Sequence, residues 1–267
     1  ISNTAPSPPI VTKTAPSAPT LSRLVSAKGR VPIYWQAPAS DGGSPVTNYK
    51  IYRGTASGNE TPLVTAGNVL KYLDNSEIIN GTAYFYKISA INAVSEGPLS
   101  NELSVIPADL SLVFTGSIYY KGNLGGLSGA DTKCQGMAGD ALLGGVWKAW
   151  LSDSSVSANS RLYHSPAPYK RVDGVKVANS WSDLTDGALS APINISENNT
   201  SSTGYVWTNT TQNGSIYSGN SCNNWTSSSA SLTTRKGHTQ RWSDSSWTND
   251  SSEYDCGYDF RIYCVEQ

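Results

Sequence analysis

Residues 31–55 read VPIYWQAPASDGGSPVTNYKIYRGT. Val31, Ile33 and Trp35 alternate with Pro32, Tyr34 and Gln36, the period of two that sends one set of side chains inward and the other outward. PASDGGSP, residues 38–45, is a dense turn signal, because Gly reaches backbone angles closed to other residues and Pro fixes its own. TNYKIYRGT, residues 47–55, restarts the alternation, with Tyr49, Ile51 and Arg53 on one face and Lys50 and Tyr52 on the other. A strand, a turn and a second strand in so short a span predict an antiparallel β-structure.

The composition extends that reading. Eight Trp and fifteen Tyr stand against three Phe and one Met, and Gly, Pro, Ser, Thr and Asn are abundant. Aromatic and β-branched residues suit pleated surfaces, while Gly, Asn and Ser supply turns. Downstream, NGTAYFYKISAIN, residues 80–92, alternates again through Tyr84, Tyr86, Ile88 and Ala90. Short strands, regular turns and no cysteine over residues 16–107 describe a β-sandwich of about a hundred residues. This segment resembles a fibronectin type III module. The resemblance implies that Trp35 is the buried core tryptophan and that the hydroxyl of Tyr84 pins a neighbouring turn. A fold of this kind does not name a ligand, and no Arg-Gly-Asp tripeptide occurs, so residues 16–107 are expected to act as a spacer.

The chain has 267 residues, room for two ordinary domains. A net charge of −1 with 15% charged residues, and no run of Lys or Arg, argues against nucleic acid and against an anionic membrane surface. No stretch of about 18 apolar residues is present to span a bilayer as a helix. Residues 1–15 are rich in Pro, Ser and Thr and read as an extended linker, with an export leader and further domains expected upstream. All four cysteines, Cys134, Cys222, Cys256 and Cys264, lie within residues 109–267. An even count without CxxC spacing fits two disulfides better than zinc and points to an extracytoplasmic location; three pairings are open.

Within residues 109–267, Leu112, Phe114 and Ile118 suggest an entering strand. GADTKCQGMAGDALL, residues 129–143, places Ala130, Cys134, Met137, Ala138, Ala141 and Leu142 at three- and four-residue intervals and predicts a helix. GVWKAWLSDS, residues 145–154, alternates as a strand. The glycine-rich GNLGGLSG before the helix lacks a following Lys-Ser/Thr pair and reads as a tight structural turn, not a phosphate loop.

LGGLSGADTKCQGMA, VDGVKVANSWSDLTDGAL, SCNNWTSSS and CGYDFRIYCVEQ resemble, in that order, bacterial domains related to the endostatin fold, itself a relative of the C-type lectin-like domain. The relatives include spirochaete endostatin-like surface proteins, implicated in binding host matrix and complement-regulating proteins. The resemblance implies an α+β fold, the nested pairs Cys134–Cys264 and Cys222–Cys256, and ligand binding on a long-loop face. The fold class expected for the whole chain is therefore a mainly β fibronectin-like sandwich followed by an α+β lectin-like or endostatin-like domain.

Residues 194 to 255 are polar, and loop aromatics among amides and carboxylates suit carbohydrate: a ring stacks on a sugar face while amides and carboxylates bond its hydroxyls. The ligand-binding candidates are Trp242, Trp247, Asn249, Asp250, Asn209, Asn213, Asn223 and Asn224, with Trp207 and Trp225 assigned to the core. Trp242 and Trp247 are balanced between core and surface. Trp247, Asn249 and Asp250 nearly spell the Trp-Asn-Asp triplet of calcium lectins, and Asn249, Asp250, Glu253, Asp255 and Asp259 offer hard oxygens. Thr248 interrupts the triplet and its earlier Pro-containing partner motif is absent, so a solvated acidic loop is the favoured reading and calcium the lesser one. His164 and His238 stand alone and suggest no zinc site. No catalytic motif is present, so the chain is read as a non-enzyme. The leading expectation is a secreted or surface-attached bacterial recognition or adhesion protein for a glycan or a protein. The alternative is an architectural stalk and cap that mediates assembly without an external ligand.

Overall fold

The alternation at residues 31–55 becomes strands on two facing sheets. The computed structural model describes residues 12–218 and 220–267, so most of the expected linker, residues 1–11, lies outside the described residues. The chain divides into two compact units. The first comprises the described residues before 25 with 33–74 and 81–106, and the second comprises 25–32, 75–80 and 107–267.

In the first unit, β1 (Thr20–Leu24), β2 (Val31–Gln36) and β5 (Lys71–Asp74) form a three-stranded sheet in the order β1-β2-β5. β3 (Val46–Gly54), β4 (Thr61–Ala66), β6 (Tyr84–Asn92) and β7 (Leu103–Val105) form a four-stranded sheet in the order β4-β3-β6-β7. Tyr49 lies opposite Ala90 and Ile51 opposite Ile88. These inward positions bury Trp35, Tyr49, Ile51, Tyr86 and Ile88, and the Trp35 and Tyr49 rings meet at 5.5 Å between centroids. Tyr84 is buried too, with the Arg53 guanidinium over its ring. Beside it the Tyr86 hydroxyl donates to the buried Asp74 carboxylate at 2.8 Å, and Arg53 pairs with the same carboxylate at 2.9 Å. The turn read at residues 38–45 needs its glycine: Gly42 has φ of +74°, and a side chain there would meet the Thr14 carbonyl.

The second unit is one eight-stranded mixed sheet. β8 (Ser111–Thr115), β10 (Tyr169–Arg171), β11 (Lys176–Ala178), β12 (Tyr205–Trp207), β13 (Thr233–His238), β14 (Glu253–Asp255) and β15 (Arg261–Glu266) run in the order β11-β10-β8-β15-β12-β13-β14, and β9 (Trp147–Ala149) also pairs with β15. The closing strand is thus central: β8 pairs with it antiparallel and β12 parallel. The one long helix among the described residues, α1, spans Gly126–Asp140, three residues upstream of the predicted window. Its buried face is Ala130, Cys134, Met137 and Ala138. Cys134 bonds Cys264, and the second disulfide joins Cys222 to Cys256, the nested arrangement the resemblance implied.

Two expectations shift. The predicted strand at 145–154 is only Trp147–Ala149, because the chain then turns so that Trp147 and Trp150 are both buried. The entering strand ends at Thr115, which leaves Ile118 exposed. The main core gathers Val113, Trp150, Trp181, Val206, Trp247 and Tyr263 beneath the loops.

Candidate functional site

The stretch Trp247–Asp250 decides the metal question residue by residue. Trp247 is 0% exposed, packed 5.1 Å from the Trp150 ring, and its carbonyl accepts the Tyr263 hydroxyl. Of the two readings of this ring the core one holds, and its place among the ligand contacts is corrected: with so few large aliphatic residues in the loop-rich half, most of its tryptophans become the core. Gly237 permits this approach, since a Cβ there would lie 2.1 Å from the Trp247 carbonyl oxygen. Thr248, the residue that interrupts the triplet, is buried; its hydroxyl accepts from Trp150 Nε1 at 2.7 Å and donates to the Thr210 carbonyl at 3.1 Å. Ser152, Thr208 and Thr210 continue this buried chain of hydroxyls. Asp250 pairs with Lys236 across the sheet edge, and its backbone N–H donates to the Lys236 carbonyl at 2.8 Å.

The oxygens proposed for calcium are not brought together. Glu253 and Asp255 flank Tyr254 in β14, so alternation turns them away from the Tyr254 face. Glu253 accepts from the Thr233 hydroxyl, Asp255 accepts from Gly257 N–H, and Asn249 N–H donates to the Ser245 carbonyl. Among the described residues no group of three His, Cys, Asp or Glu could hold a metal.

The remaining candidates are scattered. Trp242 is 44% exposed, on the surface as one of the two readings had it. Asn209 is buried, with its amide donating to the Ser218 carbonyl at 3.0 Å, which corrects its assignment as a ligand contact. Asn213 is exposed but its side-chain oxygen closes its own turn on Ser215 N–H. Asn223 and Asn224 are exposed at the tip of an unusual element: Cys222, Asn223, Asn224 and Trp225 all have φ between 52° and 64°. Four successive left-handed residues cost roughly 1–2 kcal/mol each, with Asn the most tolerant. The Cys222–Cys256 bond, Trp225 Nε1 donating to the Ser152 carbonyl at 2.9 Å, and the Trp225 carbonyl receiving Leu124 and Gly125 N–H groups hold the turn. The glycine loop serves this packing. A Cβ on Gly122 would lie 2.5 Å from the Cys222 sulfur.

What the sheet does gather is tyrosine. Register places Tyr205 opposite His238, Trp207 opposite Lys236 and Tyr254 opposite Thr234, all on one face of β12-β13-β14. Tyr205 and Tyr254 lie 5.7 Å apart, Tyr254 and Tyr258 5.2 Å, and Phe260 packs beneath all three. Tyr258 is 50% exposed, and Tyr205 and Tyr254 are half-buried. The floor is Phe260 and Trp207, 4.5 Å apart and buried. Lys236 is 1% exposed; its ammonium sits 4.1 Å from the Tyr205 centroid and 4.7 Å from that of Tyr254. Desolvated contacts of this kind contribute about 2 kcal/mol. Burial pushes the Asp250 carboxyl up, but the bonds from Lys236 and Ser251 N–H prevail and hold it below its ordinary value. His238 is lowered by burial, reinforced by Arg241 and Lys236 and opposed by Asp250. Sequence reading that followed tryptophans missed Tyr254 and Tyr258. Their signal was EYDCGYDF, residues 253–260: two tyrosines astride a cysteine in a polar loop.

Comparison with known proteins adds a family and a few relatives. Residues 117–242 match a family described as a protein of unknown function, DUF1554. An amylopullulanase of Thermoanaerobacterium thermosulfurigenes is 32% identical over 96 residues, 36% of this chain. The chain spans only 5% of that enzyme's length. Among solved structures, a Fn3-like protein from Clostridium thermocellum is 26% identical, covering 34% of this chain and 92% of its own, with a TM-score of 0.29. The sixth fibronectin type III domain of a human fibronectin type III domain containing protein is 21% identical, covering 40% and 92%, with a TM-score of 0.30. These fibronectin type III-like neighbours, with a further human one, each cover between 34% and 40% of this chain.

Proposed function

We propose that this chain is an extracytoplasmic recognition protein, secreted or surface-attached, whose second unit binds a glycan on the Tyr205–Tyr254–Tyr258 shelf. The first unit acts as a spacer. The observation that carries this reading is the shelf itself: three adjoining tyrosines, one of them half exposed, on a floor fixed by Phe260 and Trp207. Rigid aromatic faces that carry phenolic hydroxyls match the apolar face and hydroxyl rim of a pyranose. Two disulfides favour an oxidising compartment, and the likeness to part of a carbohydrate-active enzyme favours a sugar over a protein ligand.

The reading is of binding without catalysis, supported by the commitment of Asp250 to Lys236. We also place the second unit with endostatin-like and C-type lectin-like domains. Supporting this are the pairing of the first and last strands of the unit and the staple from α1 to β15. A glycan array probed once in calcium and once in EDTA tests the function. The expected result is specific binding that EDTA leaves intact and that Tyr254→Ala/Tyr258→Ala abolishes; silence on every glycan would overturn the reading.

A further inference from the structure

Tyr205 and Tyr254 are tilted by 32° to each other, whereas Tyr258 stands at 79° to Tyr254. A sugar that lies flat on the shelf therefore lies on Tyr205 and Tyr254, and the group beside Tyr205 is His238. Register sets the two opposite each other in β12 and β13, their rings nearly perpendicular and their centroids 4.9 Å apart. The imidazole Nδ1 accepts the Gln240 N–H at 3.2 Å, so the neutral ring carries its proton on Nε2. That Nε2–H has no hydrogen-bond partner among the described residues, and it is not one of the buried unpartnered atoms: it reaches solvent. His164 differs, because it donates its Nε2–H to the Asn159 carbonyl at 2.7 Å and stacks on Trp181.

We infer that His238 is a hydrogen-bond donor of the shelf, its Nε2–H binding an oxygen of the sugar on Tyr205, and that the neutral imidazole alone is held in the pose that does so. This rests on the glycan reading above. A second proton on Nδ1 would face the Gln240 N–H, donor against donor. The ring then loses its tether and Nε2–H its aim. Burial disfavours the imidazolium, as do Arg241 and Lys236, while Asp250 favours it but is already paired with Lys236. Around that end of β13, β12 adds the Tyr205 phenol, and Glu253 and Asp255 of β14 lie on the other face. Ser245–Trp247 and residues 200–204, which also pack there, carry no charge. Glycan binding therefore weakens as pH falls through the folded pKa of His238, which lies below 6.5.

The glycan array, probed with graded concentrations of the full chain, His238→Gln and His238→Ala at about pH 7.5 and about pH 5, tests this. His238→Ala is expected to bind about three- to tenfold more weakly than wild type at the higher pH, the loss of one hydrogen bond. His238→Gln puts an amide N–H near the position of Nε2, so it should stay within about threefold of wild type there. It should also abolish the loss of affinity that wild type shows in acid. Long-range proton–nitrogen spectra of the two histidines should place the neutral proton of His238 on Nε2, a readout that needs neither variant nor glycan. Wild-type affinity in His238→Ala, acid loss that persists in His238→Gln, or a proton on Nδ1 would overturn the inference while leaving glycan recognition standing. Silence of the wild-type chain on every glycan at both pH values would instead overturn the glycan reading and this inference with it.

Discussion

Lys236 shows how one buried charge organises its surroundings. It lies in a strand, pairs with Asp250 beyond the next turn and holds the Tyr205 and Tyr254 rings to its ammonium. Breaking a buried pair leaves a charge with no partner, so Lys236→Ala should cost about 3 kcal/mol, read as a lower urea midpoint. Thr248→Val keeps the shape but leaves Trp150 Nε1 without its acceptor, and about 1–3 kcal/mol should be lost in the same measurement. His238 and Asp250 contribute to the response to acid, Asp250 together with Asp173 and Asp244, whose hydrogen bonds also hold their carboxyls below the ordinary value. The folded pKa of His238 lies below 6.5, so as pH falls through that value the unfolded chain takes up protons first and stability declines. Asp250 contributes stability that is present above 3.8 and is lost as pH falls through its lower folded value. His238→Gln should abolish the first decline and leave the second, as urea midpoints at about pH 7.5, 5.5 and 3 would show. None of this was legible in single letters. The sequence displayed Trp247, Asn249 and Asp250 as a broken metal motif, and only the fold shows that Thr248 interrupts it because a buried hydroxyl is required there.

Among the elements, the left-handed turn at Cys222–Trp225 and the tyrosine-bearing turn at 256–258 are one device, joined by the Cys222–Cys256 bond. That bond closes a loop of 34 residues, for which chain entropy gives nearly 4 kcal/mol. Cys222→Ser/Cys256→Ser should lose about that much stability. It should also free the Tyr258 turn, and glycan affinity should fall more than the Cys134–Cys264 bond, at the far end of β15, would make it fall. The Asn-Asn pair was the sequence-level sign of an unusual backbone, since Asn tolerates positive φ, but four successive residues of that kind lie beyond what propensity predicts. Helix α1, by contrast, was plain from its three- and four-residue spacing. Its start moved to Gly126 because Gly125, at φ of +83°, forms the cap that the glycine loop provides.

For the whole molecule, the β-sandwich was legible at Trp35, Tyr49 and Ile51, where strict alternation left one choice of face. The second unit was legible in its cysteines and its closing strand but not in its loops, where a polar chain gives no period and burial is decided by distant partners such as Trp150 and Tyr263. The sequence reading put the binding face on Trp242, Trp247 and Asn and Asp residues of the loops, whereas the face we propose is built of tyrosine. The central claim is that this shelf binds the ligand, and one titration tests it most directly. The glycan that binds best on the array would be titrated into the wild-type chain, Tyr258→Ala and Trp242→Ala, each with and without EDTA. Tyr258→Ala should weaken binding at least about tenfold, while Trp242→Ala and EDTA leave it unchanged. Full affinity in Tyr258→Ala, with loss in Trp242→Ala or in EDTA, would contradict the account.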